Sequence, residues 1–287
     1  MSGIVFGILC SLFQGIGYTT LKKSFKELPS SYAFLAYMLL GLLVWVPVSI
    51  VMGVSFGNIG MVFFYAFLSA ILSEAFVFFV LSKGEHISIT GVYFSTYPVF
   101  TILFSRIING EIITSVVGGF VLITILGVLV IAVPRKFNEA ELKNKLVLIY
   151  PLLGAIAVGI SDTLSKKALY QTDSATFLFC VAFMQIPVST IYLKLEKQKV
   201  SVKKLLKDIA TYKYSLLGSF FTVISLIFFW LAFENTLASI ASPLTATYPV
   251  FIVVLARIFL KEKVAKKDYF GIVVTVLGVV GIGYFYS

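Results

Sequence analysis

Ten apolar runs, each of roughly twenty residues, follow one another along this chain: 3–21, 32–52, 60–81, 87–108, 114–133, 146–165, 176–193, 215–233, 238–260 and 268–286. That length is what an α-helix needs to cross the hydrocarbon of a bilayer. Only helices and closed barrels satisfy every backbone polar group there. The longest connection, 194–214, leaves no room for a soluble domain. Charged residues make up 13% of the chain, against about a quarter in soluble domains, and mean hydropathy is +1.01. The fold class is therefore an all-α polytopic membrane protein with ten transmembrane helices. The first span has no basic residue before it and is longer than the apolar core of a leader, so it reads as a helix rather than a cleaved signal. Cys10 and Cys180 lie singly in spans, without paired spacing, and read as small buried residues.

The pentapeptide TYPVF occurs at 96–100 and again at 247–251, an offset of 151. Between 96–132 and 247–283, 13 of 37 positions are identical, Thr124/Thr275, Gly127/Gly278 and Ile131/Ile282 among them. Earlier, GIGYTTLKK at 15–23 pairs with GISDTLSKK at 159–167, at an offset of 144. These matches divide the chain into a first five-helix repeat (1–133), a linker (134–145) and a second five-helix repeat (146–287). Five is odd, so the second copy enters the membrane the other way round. Two inverted repeats are the plan of secondary carriers, which bind substrate near the midplane where the copies meet.

Basic residues set the orientation. The connections after helices 1, 3, 5, 7 and 9 hold 20 of the 23 Lys and Arg, counting helix-end residues with their loops. The remaining three are Arg106, Lys166 and Lys167. The positive-inside bias places the basic connections in the cytoplasm and both termini outside. This accounts for the net charge of +10 without nucleic acid. The basic loop at 194–213 reads as a solvated cytoplasmic segment, with anionic headgroups as the alternative partner.

Pro98 and Pro249 fall near the middles of the fourth and ninth spans. A proline cannot donate to the carbonyl four residues back and pushes it away. The carbonyls of Phe94 and Thr245 are thus expected to be freed. In hydrocarbon that is tolerated only beside protein, a hydroxyl or water, so the paired helix breaks point to a central polar cavity, with a plain packing kink as the alternative. Tyr97 shares a helical face with Thr90, Tyr93 and Thr101, and Tyr248 shares one with Thr245. Ser11, Gln14, Tyr18 and Lys22 form a polar stripe on the first helix. The mid-depth hydroxyls of Tyr97 and Tyr248 need partners, with plain lipid-facing or core aromatic surface as the alternative.

Glu74 is the only acidic residue deep within a span. An ionised side chain there costs roughly 3 kcal/mol or more, so it faces a cavity or a partner. Its counterpart in the second repeat is Ser225, so the carboxylate is not a shared structural need; a hydrogen bond between helices is the alternative. Phe78, one turn on, has the aromatic counterpart Phe229. Asp162 stands four residues before Lys166, where an ordinary helical ion pair competes with a pocket role. Glu234 and His86 lie at span ends and read as loop residues. Arg106 and Arg257 read as snorkelling to the interface.

These features resemble the drug/metabolite transporter superfamily in its ten-helix EamA-like branch. The resemblance rests on the doubled five-helix unit, on YTTLKKSFKELP closing helix 1, and on YPVFTILFSRIINGEIITSVVGGFVLITILGVLVI with its second-half partner. It implies alternating access around a cavity lined by helices 1, 3, 4, 6, 8 and 9. Members carry amino acids, nucleotide sugars, sugar phosphates, quaternary amines and other metabolites. Where many members have Trp-Gly in helix 1, this chain has Gln14-Gly15, which makes the wall more polar.

The expected function is secondary active transport of a small amine-bearing or cationic metabolite, an amino acid or choline-like amine, across the cytoplasmic membrane of a prokaryote. The expected substrate-binding residues are Gln14, Tyr18, Glu74, Phe78, Tyr93, Tyr97, Asp162, Ser225, Thr245 and Tyr248, with Pro98 and Pro249 as the helix breaks. A carrier of sugar phosphates or nucleotide sugars is the alternative, with Lys22 and Lys166 as its cationic residues. An intramembrane enzyme is remote, since the single His sits at a span edge and no HExxH or carboxylate dyad is present. No cofactor, metal site or nucleotide motif is indicated. The expected partners are a small-molecule substrate, the lipid bilayer and protons as candidate coupling ions, in a monomer or homodimer.

Overall fold

The structure, a computed structural model, describes residues 2–25, 28–83, 95–133, 145–198, 209–259 and 265–286. Its helices are α1 (Ser2–Ser24), α2 (Ser30–Met52), α3 (Ile59–Ser69), α4 (Phe76–Lys83), α5 (Tyr97–Ile108), α6 (Ser115–Ala132), α7 (Lys145–Leu169), α8 (Ser174–Leu195), α9 (Ile209–Asn235), α10 (Ala238–Thr245), α11 (Tyr248–Phe259) and α12 (Lys266–Phe285). A π-helical turn, Ala70–Ala75, joins α3 to α4. Eight helical stretches among the described residues are long and apolar enough to cross a membrane. α5 is the described part of the fourth span, and α7, at 25 residues, is long enough for the sixth. Bulky apolar side chains such as Leu43, Val51, Ile112 and Leu195 point outward, as lipid-facing surface does.

The ninth span is where expectation and structure part. Instead of one kinked helix over 238–260 there are two, α10 and α11, separated by a turn at 246–247. Pro249 stands in the first turn of α11, and Pro98 likewise in the first turn of α5 after a turn at 95–96. There a missing N–H costs little, because the N–H groups of a first turn have no acceptor within their own helix. The opposite case is present too: Pro47, Pro151 and Pro187 lie within unbroken helices. Proline alone does not cut a span here. The carbonyl of Thr245 accepts from Ser11 Oγ at 3.0 Å, and that of Leu244 accepts from the same hydroxyl at 2.6 Å. Phe94 lies outside the described residues.

The two repeats pack on each other about a pseudo-twofold relation. α1 packs on α9 and α11, and α7 packs on α3–α4 and on α5, the equivalent partners in the other repeat. Gly15 and Gly159 occupy matching contacts. A Cβ at Gly15 would sit 3.0 Å from the Tyr248 carbonyl, and one at Gly159 would sit 2.6 Å from Phe100 Cβ. α6 and α12 pair with each other. There a Cβ at Gly127 would lie 2.5 Å from Thr275 N, and one at Gly278 would lie 2.6 Å from Thr124 N. The identities Thr124/Thr275 and Gly127/Gly278 are thus one contact made twice. Small residues let backbones approach where no hydrophobic effect drives helices together.

Candidate functional site

A cavity opens where α1, α2, the π turn, α4, α5, α7, α9 and α11 converge. Ten of its fifteen lining residues form five repeat-related pairs: Gln14/Val158, Tyr18/Asp162, Glu74/Ser225, Phe78/Phe229 and Tyr97/Tyr248. The cavity therefore lies on the pseudo-twofold relation itself. Its chemistry is not symmetric. Each repeat gives one carboxylate, at positions that are not equivalent, and no Lys, Arg or His is among the described residues of the wall.

Of the ten expected binding residues, Gln14, Tyr18, Glu74, Phe78, Tyr97, Asp162, Ser225 and Tyr248 line this cavity. Thr245 sits behind the wall, its hydroxyl 3.3 Å from that of Tyr97. Tyr93 lies outside the described residues, as do Thr90, His86 and the side chain of Lys22.

Glu74 is 6% exposed and belongs to the π-helical turn. A π turn inserts one extra residue into the helical register and is frequent at functional sites. It re-aims Glu74, and α9 runs without interruption past the equivalent Ser225. Gln185 Nε2, from α8, donates to Glu74 Oε2, and Tyr37 from α2 lies against the same carboxylate. Glu74 Oε1 is buried without a hydrogen-bond partner among the described residues. Gln14 Nε2 donates to the Tyr18 hydroxyl at 2.6 Å. The Tyr18 and Tyr248 rings meet edge to face, 5.3 Å between centroids. The Ser225 hydroxyl turns away, donating to the Cys10 carbonyl at 3.0 Å.

Asp162 is corrected as to its partner. The expected ion pair with Lys166 does not form. Asp162 Oδ2 accepts from Thr101 Oγ1 at 2.9 Å, and Thr101 in turn accepts from Ser242 Oγ at 3.0 Å. This chain joins α7 to α5 and α10, both flanking the helix breaks. Lys166 Nζ instead donates to the Phe233 carbonyl at 2.6 Å and lies 4.8 Å from the centre of the Tyr170 ring. Position explains the divergence: Lys166 is near the end of α7 and close to the last carbonyls of α9, where a cation complements the helix dipole. Glu234 is not a loop residue either; it ends α9 and accepts from Ser174 Oγ at 2.6 Å.

Gln185 and Tyr37 were missed from sequence. Gln185 carries the signal that flagged Glu74, a polar side chain inside an apolar span. Tyr37 carries none, being one of 15 tyrosines.

The EamA-like transporter family model matches residues 1–133 and 145–284. The chain belongs to the EamA-like transporter family. It is a multi-pass membrane transporter of the drug/metabolite type, built as two repeats. A solved crystal structure, described only as that of a protein, is similar over 98% of this chain and 96% of its own length. Its TM-score is 0.69 at 15% identity, a likeness of fold. No curated protein matches the chain. This EamA-like transporter carries its cavity on the interface between the repeats.

Proposed function

We propose that this EamA-like transporter is a secondary active carrier of a small organic cation, working by alternating access in the cytoplasmic membrane of a prokaryote. The observation that carries the reading is the wall itself: two buried carboxylates, Glu74 and Asp162, and no basic side chain among its described residues. A carboxylate in such a place is stabilised in its charged form by a cation beside it. Tyr18, Tyr97, Tyr248, Phe78 and Phe229 add aromatic faces, worth about 0.5–2 kcal/mol each to a well-placed cation. The cavity is only about 50 Å³, against roughly 300–1,000 Å³ for small-molecule pockets. Loading it requires a conformation more open than this one, as alternating access supplies.

The sugar-phosphate alternative gains no support from the wall. Lys166, one of its two cationic residues, is committed to the Phe233 carbonyl.

The test is ligand-dependent thermal stabilisation of the purified protein, since binding to the native state raises its stability by mass action. Amino acids, amines, quaternary amines, sugar phosphates and nucleotide sugars form the panel. Cations are expected to stabilise, with Glu74→Gln weakening the effect at least about tenfold, or 1.4 kcal/mol. Stabilisation by sugar phosphates alone, or cation binding unchanged in Glu74→Gln, would overturn the proposal.

A further inference from the structure

Whether the bound cation carries N–H groups depends on the hydrogen-bonding capacity around Glu74, and the answer rests on the cationic reading of this site. An ionised carboxylate only accepts. Oε2 takes a bond from Gln185 Nε2, and Oε1 is buried with none. Gln185 is fully buried, and its own Oε1 also lacks a partner. Against an ionised Glu74 the amide is assigned with its nitrogen toward the carboxylate, because the opposite orientation would set oxygen against oxygen. Across the cavity, Gln14 gives its amide to Tyr18, and its Oε1 is buried and unpartnered as well.

Three acceptors without a hydrogen-bond partner among the described residues therefore stand about the cavity, two of them on lining residues, and the single proton of the neighbouring Tyr37 hydroxyl can serve at most one. Buried polar atoms without partners are rare and unfavourable. A quaternary ammonium neutralises the charge and leaves at least two of them unmatched, because it has no N–H. A protonated primary amine brings three donors on one atom. The aromatic faces serve either cation and do not discriminate. We infer that the substrate is a protonated primary amine, whose N–H groups are taken by Glu74 Oε1 and Gln14 Oε1. Gln185 is the positioning residue: it holds the Glu74 carboxylate in place and so sets the preference against N-methylated cations.

The test compares matched pairs on the native, full-length protein by thermal-shift titration: ethanolamine with choline, butylamine with butyltrimethylammonium, putrescine with its bis-trimethylammonium analogue. A site built to hydrogen-bond a ligand rejects the analogue that lacks the group, so the unmethylated member of each binding pair is expected to half-saturate at a concentration at least about tenfold lower. In Gln185→Met the preference is expected to shrink to about threefold or less. A merely structural role for Gln185 would lower the melting temperature and leave the ratio alone. Equal or tighter binding of the trimethylated members overturns this inference and leaves the cationic reading standing. Binding of glucose 6-phosphate or a nucleotide sugar, with no amine of either kind, overturns the cationic reading and this inference together. The pair comparison uses the unmutated chain and does not depend on any variant folding.

Discussion

Buried ionisable side chains in this membrane protein divide by what their charges touch. Glu111 is 5% exposed and lies in the turn between α5 and α6, yet it serves the other repeat. It accepts from the backbone N–H groups of Ala238 and Ser239, each at 2.9 Å, and from Ser239 Oγ at 2.6 Å, closing the N-terminus of α10. Lys166 does the converse near the end of α9. Both charges are consumed by helix ends, where the dipole favours them. Glu74 and Asp162 meet only hydroxyl and amide groups and face the cavity. The substitution Lys166→Met removes a charge-assisted bond and is expected to lower stability by about 1–3 kcal/mol. Cation affinity is expected to stay unchanged, as thermal melts with and without ligand can measure. An unchanged melt together with loss of sugar-phosphate binding would move Lys166 into the site.

At the scale of elements, the site is shaped by the turn between α10 and α11, the π turn in the third span, and the turn at 95–96 from which α5 starts. The turns ahead of α5 and α11 had a readable sign in Pro98 and Pro249, although it pointed to kinks. Whether a proline bends a helix or begins one depends on what can hold the exposed carbonyls, and here Ser11 of α1 holds those of Leu244 and Thr245. Pro249→Ala restores an amide that could complete a continuous ninth helix. Transport is expected to fall at least about tenfold, or 1.4 kcal/mol in the transition state, with the protein inserted and folded, as uptake in vesicles and gel filtration would report. Parental transport would make the break a packing feature. The π turn left no sign in the sequence. Its Ala-Ile-Leu-Ser-Glu-Ala run is ordinary helix former, and the widened turn is set by the helices packed around it.

On the scale of the whole molecule, a shared scaffold carries unlike chemistry. The repeats agree where backbones touch, at Gly15/Gly159 and Gly127/Gly278, and differ where they face the cavity, at Tyr18/Asp162 and Glu74/Ser225. Their inversion has a consequence for sidedness. The start of α1, the turn after α9 and the end of α12 lie together: Ser2 Oγ is 3.5 Å from Asn235 Oδ1, and Leu237 N donates to the Tyr286 hydroxyl at 3.3 Å. With the Lys and Arg gathered at the opposite end, Gln171→Cys in the connection after α7 is expected to react with an impermeant thiol reagent on intact cells. Lys194→Cys near the end of α8 is expected to react only after lysis. The reverse pattern would invert the orientation.

Sequence by itself determined the helical spans, their duplication and inversion, and most of the residues that face the cavity. Those depend on local quantities: apolar length, proline and glycine placement, and the cost of a polar group in hydrocarbon, which is the same wherever the helix packs. The tertiary structure alone decided who bonds to whom. Asp162 could reach Lys166 along its own helix or Thr101 across an interface, and only the packing of α5 on α7 selects the second. Gln185 reaches Glu74 from a helix 111 positions away in the chain. Spacing on one helix cannot encode a partner on another, because that distance exists only once the repeats have closed on each other.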